Sequence, residues 1–79
     1  MKQLKQYGFR YYQPENCTRK IWYNKDTDME VIKYSKKELR DMEVDDTLQY
    51  ELIAKASTRD AYAEKMFETI EELVDYINQ

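Results

Sequence analysis

Ser57-Thr58-Arg59-Asp60-Ala61-Tyr62-Ala63-Glu64-Lys65-Met66-Phe67-Glu68-Thr69-Ile70-Glu71-Glu72-Leu73-Val74-Asp75-Tyr76-Ile77 decides the fold, because it reads in two ways. Tyr62, Met66, Ile70, Leu73 and Ile77 recur every three or four residues, the stripe of one long amphipathic helix. Thr69 followed by Glu72 is also a capping box, in which a Thr side chain and a Glu three residues on mark a helix start. On that second reading residues 57–60 form a hairpin turn, residues 61–67 a strand, and helix begins only at Ile70. The second reading ranks first, since the cap is the more specific signal.

Upstream, Leu48-Gln49-Tyr50-Glu51-Leu52 alternates apolar and polar and runs on through Ile53 to Ala56, giving a strand with Leu48, Tyr50, Leu52 and Ala54 on its buried face. Residues 9–13, 20–24 and 29–34 are rich in aromatic and β-branched side chains and suit an antiparallel meander. In the second of these, Ile21 and Tyr23 share one face and Lys20 and Trp22 the other. Turn chemistry separates the strands at Pro14-Glu15-Asn16 and at Asn24-Lys25-Asp26-Thr27-Asp28. Leu4-Lys5-Gln6-Tyr7-Gly8-Phe9 reads as a short helical or irregular entry closed by the only glycine, Gly8 being the left-handed residue that would end one turn of helix. Ser35 and Glu38 form another capping box, opening a short helix that ends near Met42, before an acidic loop over residues 43–47.

The expected architecture is therefore one α+β domain: an antiparallel sheet of four or five strands with a C-terminal helix packed on one face. Its core is expected to hold Leu4, Phe9, Ile21, Val31, Leu48, Tyr50, Leu52, Phe67, Ile70, Leu73, Val74 and Ile77. A chain of 79 residues buries only about 60% of the surface that its unfolded form exposes, so one core consumes nearly all the large apolar side chains. Little remains to wall a deep substrate pocket.

Composition narrows the chemistry. Histidine is absent, which removes the commonest general base and metal ligand. Cys17 is the single cysteine, so neither an intrachain disulfide nor a thiolate zinc site can form within one copy. Arg19 and Lys20 lie near Cys17, yet a catalytic thiol lacks its base. The oxygen-rich run 24–30 starts like a calcium loop, but Met29 stands where that loop needs glycine and Ser35 where it needs glutamate. Asp45-Asp46 and Glu71-Glu72 are adjacent pairs whose side chains diverge on a strand or helix. The expectation is a non-catalytic protein with no cofactor and no metal. The first residues carry no apolar leader and no stretch reaches membrane-spanning length, so a cytoplasmic location is expected. Asn16-Cys17-Thr18 fits the glycosylation pattern, which has no use in the cytoplasm.

Charge is split along the chain. Residues 1–40 carry ten Lys/Arg against five Asp/Glu; residues 41–79 carry three against eleven. Two candidate sites follow. An acidic patch of Asp41, Glu43, Asp45, Asp46, Glu71 and Glu72 would dock on a protein partner with a basic surface. Alternatively Arg10, Tyr12, Lys20 and Trp22, basic and aromatic, would grip single-stranded nucleic acid on an open sheet face. Self-association of the positive half against the negative half is a third possibility.

Tyr7-Gly8-Phe9-Arg10-Tyr11 resembles the aromatic core strand of RNA-recognition domains, without that strand's second glycine and with its charge placed differently. Taken whole, the chain resembles small accessory proteins of Gram-positive phages and mobile elements. The similarity lies in its shortness, its richness in Lys, Glu, Tyr, Ile and Asn, its lack of His, the opening Leu4-Lys5-Gln6-Tyr7-Gly8-Phe9 and the closing run from Phe67 to Ile77. Such proteins include stoichiometric inhibitors of host defence nucleases, so the resemblance implies a regulator or inhibitor that works by binding another protein.

Overall fold

Thr69 resolves the ambiguous stretch. Its backbone is extended, and its hydroxyl oxygen accepts the N–H of Glu72 at 3.2 Å, so helix begins at Ile70. The computed structural model describes residues 2–13, 15 and 19–79. Within them the elements run α1 (Lys2–Gln6), β1 (Arg10–Tyr12), β2 (Lys20–Asn24), β3 (Met29–Lys33), α2 (Lys36–Asp41), β4 (Tyr50–Ala54), β5 (Tyr62–Phe67) and α3 (Ile70–Ile77). The strands form one five-stranded sheet in the order β1-β2-β3-β4-β5, each neighbour antiparallel. Residues 62–67 are thus a strand, as the capping signal at Thr69 implies; pairing with β4 satisfies backbone groups that a continuous helix would have satisfied internally. Pro14 and Asn16 of the expected turn, Cys17 and the pattern Asn16-Cys17-Thr18 lie outside the described residues.

Helix ends follow local chemistry. At Ser35 the capping box closes in both directions, Ser35 Oγ accepting the Glu38 N–H and the Glu38 carboxylate accepting the Ser35 N–H. At the end of α1, Phe9 N–H donates to the Leu4 carbonyl and Gly8 N–H to the Lys5 carbonyl, the paired bonds of a Schellman motif. Gly8 sits at φ +90°, and a Cβ there would lie 3.1 Å from Asn24 Nδ2. Glycine is therefore needed twice, for its conformation and for room.

One face of the sheet carries the main core, while Ile21, Tyr34 and Leu39 are buried apart from it. Across the strands, Tyr11 pairs with Trp22, Trp22 with Val31, and Val31 with Leu52. Paired residues share a face, and α1 and α3 cover this one with Leu4, Ile70 and Leu73. Val74, Tyr76 and Ile77 pack at its margin. Leu4, Val31, Leu52 and Leu73 are fully buried.

Two expectations about burial need correction. Leu48 is half-buried rather than part of the core: β4 starts only at Tyr50, and Leu48 N–H closes a turn onto the Asp45 carbonyl. Trp22, read as an outward residue, is 4% exposed and lies inside the core. The large apolar area of its ring outweighs the cost of placing Lys20 on the same face, because Lys20 opens the strand and reaches water.

Asn24 is the single buried polar residue among those described, at 3% exposure. Its Nδ2 donates to the Tyr7 carbonyl at 2.6 Å, and its Oδ1 accepts the N–H groups of Asp26 and Thr27. One side chain thus holds the β2–β3 turn and ties α1 to the sheet. Asn24→Ala leaves these groups without partners, at about 1–3 kcal/mol for each one that water cannot reach. A loss of at least about 2 kcal/mol in urea unfolding is expected; a change within surface-mutation scatter, about 0.5 kcal/mol, would show that the contact is incidental.

Candidate partner-binding face

The register that buries Trp22 turns a second set of side chains outward. Two transverse rows cross the uncovered face. The first runs Arg10, Tyr23, Glu30, Ile53, Ala63, and the second Tyr12, Ile21, Ile32, Glu51, Met66. Except for buried Ile21, these side chains are half-buried or exposed, and Tyr12 is 54% exposed. At one end of this face Arg19 Nε donates to Glu38 Oε2 at 2.8 Å and its guanidinium lies over the Tyr34 ring, tying α2 to the sheet there. Ile21 and Tyr34 are buried on this face, as is Leu39 of α2, so the second row is closed at Ile21, while the remaining positions of both rows stay half-buried or exposed.

At the other end the surface is concave. A cavity of about 600 Å³ is lined by Arg10, Tyr12, Tyr23 and Glu30 of the two rows, with Lys25 and Asp26 of the β2–β3 turn among its walls. Tyr23 forms part of its lining and is fixed, because its hydroxyl donates to Asp28 Oδ1 at 2.7 Å. Asp28 also accepts from the N–H and hydroxyl of Ser57, which locks the β4–β5 turn to the β2–β3 turn. The Tyr23 and Ser57 donors hold the Asp28 carboxyl below its ordinary pKa, and the hydrogen bond to Asp28 raises the pKa of the Tyr23 phenol. Of the oxygens in the run that starts like a calcium loop, Asn24 Oδ1 and the Asp28 carboxylate are thus engaged within the turns.

Glu30 and Glu51 sit diagonally on β3 and β4, since Glu30 pairs with Ile53 and Ile32 with Glu51. The Tyr34 hydroxyl donates to Glu51 Oε1 at 2.7 Å. Neither glutamate is ion-paired among the described residues, where the ion pairs are Arg19–Glu38 and Arg40–Asp46. Loss of water, and secondarily the Glu51 charge, raises the pKa of Glu30 above the usual glutamate value. The face is therefore apolar and aromatic, with two unneutralised carboxylates near its centre.

The residues singled out in the sequence are distributed differently from expectation. Arg10 and Tyr12 lie on the open face; Lys20 and Trp22 lie on the helix-covered face, with Trp22 beneath Tyr11 at 5.4 Å between ring centroids. The four do not assemble, because a one-residue change of register exchanges the faces of a strand. The acidic set falls toward one end of the sheet, its two parts being the segment before β4 and the start of α3, which flank the paired residues Tyr50 and Phe67. It is interrupted: Arg40 approaches Asp46 at 3.8 Å, and Asp45 accepts the Thr47 N–H and hydroxyl, which lowers its pKa. Tyr23, Glu30, Ile32, Glu51, Ile53 and Met66 escaped the sequence reading, although their alternation was visible; only the inward placement of Trp22 says which parity faces out.

No protein-family model matches the chain, and no curated protein or solved structure matches it either. Among the described residues no helix is long and apolar enough to cross a membrane, and no cluster of three or more His, Cys, Asp or Glu side chains could hold a metal ion.

The Glu30 shift has a testable sign. A carboxyl whose folded pKa lies above its unfolded value binds more protons when folded, so stability falls as pH rises from the unfolded to the folded pKa. Glu30→Gln should therefore raise the urea midpoint at pH 7. The gain should vanish below about pH 4, where glutamate is protonated in both states; an equal gain at both pH values would assign it to packing rather than charge.

Proposed function

We propose that the protein is a non-catalytic binding protein, a regulator or stoichiometric inhibitor, that acts by seating the open face of its sheet on another protein. The observation that carries this reading is the pair of uncovered rows: Tyr12, Ile32, Ile53 and Met66 keep apolar surface in water, on strands held rigid by a core on the other side. Burial of such surface drives association. Glu30 and Glu51 select the partner's chemistry, since a Lys or Arg arriving between them would neutralise charges that no described residue pairs. The acidic end around Asp41, Glu43, Asp46, Glu71 and Glu72 would add long-range attraction toward the same basic partner. A nucleic-acid strand is a poorer fit for this face, where Arg10 and Tyr12 lack Trp22 and a phosphate backbone would meet both glutamates.

Tagged wild-type protein and the Ile53→Asp variant test the reading. A protein captured by the wild type is purified and titrated against both chains, with circular dichroism confirming that the variant folds. An apolar anchor at the centre of an interface is worth about 2 kcal/mol, so affinity should fall about thirtyfold. A partner bound equally by folded wild type and variant would place the interface elsewhere.

A further inference from the structure

The first outward row has a symmetry that suggests what covers it. Arg10, Tyr23 and Glu30 lie on three successive strands, with Tyr23 in the middle and opposite charges one strand to either side. Arg10 is exposed, Glu30 half-exposed, and neither has an ion-pair partner among the described residues. In the adjacent row exposed Tyr12 and half-buried Ile32 flank Ile21, which is itself buried, so the aromatic and aliphatic contact comes from Tyr12 and Ile32.

Rotation by half a turn about an axis along β2, midway between two such faces, sets this pattern against itself. Arg10 of one copy then faces Glu30 of the other, and Glu30 faces Arg10. Tyr23 meets its own equivalent, and each Tyr12 meets an Ile32. This is the isologous contact of a two-fold dimer, in which each residue of a pair serves on both sides. Sheets stacked face to face stand about 10 Å apart, a gap that an arginine and a glutamate reaching from opposite sides can close.

We infer that, without a partner, this face is covered by a second copy of the chain, joined by two symmetry-related Arg10–Glu30 ion pairs over an aromatic and aliphatic row. The inference rests on the open face being a docking face and adds its regulation: self-association and partner binding compete for one surface. The patch is only three strands wide, which puts it at the small end of protein interfaces. The dimer is accordingly weak and sensitive to salt.

Sedimentation equilibrium of the full chain tests this between about 10 µM and about 1 mM, the affinity range of small interfaces, at low and high salt. The weight-average mass should rise toward twice the monomer at low salt, and the rise should shrink as salt screens the ion pairs. Arg10→Glu and Glu30→Arg should each shift the midpoint concentration upward at least tenfold. The double exchange, carrying both substitutions, should restore it, because the two positions then face each other with their charges swapped. Arg10 is exposed on an edge strand, so Arg10→Glu stays informative should Glu30→Arg fail to fold. A monomer at every concentration, a dimer indifferent to Arg10→Glu, or a folded double exchange that remains monomeric would each overturn the dimer. None of these touches the docking reading, which fails separately when Ile53→Asp binds a partner as tightly as wild type.

Discussion

The register between β1, β2 and β3 is the constraint on which the rest of the structure depends. Strand side chains alternate between faces, so the Tyr11–Trp22–Val31 alignment commits every neighbour at once. With Trp22 inward, Val31 and Leu52 complete a buried row under α1 and α3. The same choice sends Arg10, Tyr12, Tyr23, Glu30 and Ile32 outward. Core and candidate interface are two consequences of one alignment, and a slip of one residue would exchange them. The tilted contact between Tyr11 and Trp22 and the full burial of Val31 and Leu52 oppose such a slip.

Asn24 converts that alignment into a rigid platform. Its three hydrogen bonds secure the β2–β3 turn, while Asp28, bound by Tyr23 and Ser57, secures the β4–β5 turn beside it. Both turns border the concave part of the open face, so Tyr23, Lys25 and Asp26 stand on an ordered frame rather than on free loops. Pre-organisation of this kind lowers the ordering cost of binding. On the covered face the cations have aromatic neighbours: Lys33 lies over Tyr50, and Lys65 over Phe67 and Tyr76.

Much of the fold was legible because its signals are local. The capping box at Ser35, the N-cap at Thr69, the glycine after α1 and the alternation in β4 depend on residues a few positions apart. Their chemistry decided between strand and helix at residues 62–67. The site was less legible because it depends on pairing across distance. Both faces of β2 carry an aromatic ring, Trp22 on one and Tyr23 on the other, so periodicity alone could not orient it. No two-residue turn sets the β1–β2 register; the connection spans residues 13–19. The charge division of the sequence is also redistributed by strand pairing. The meander returns Lys20, Lys33 and the bases of α2 to the same end of the sheet as the acidic loop, where Arg40 approaches Asp46.

Trp22 is the only tryptophan in the chain, so its fluorescence reports the register directly. If Trp22 faces the core, emission from the folded protein is blue-shifted and acrylamide quenches it several-fold less than in urea-unfolded chain. If folded and unfolded protein instead emit at the same wavelength and are quenched equally, Trp22 faces water, the strand parity is reversed, and the face assigned to partner binding is the core.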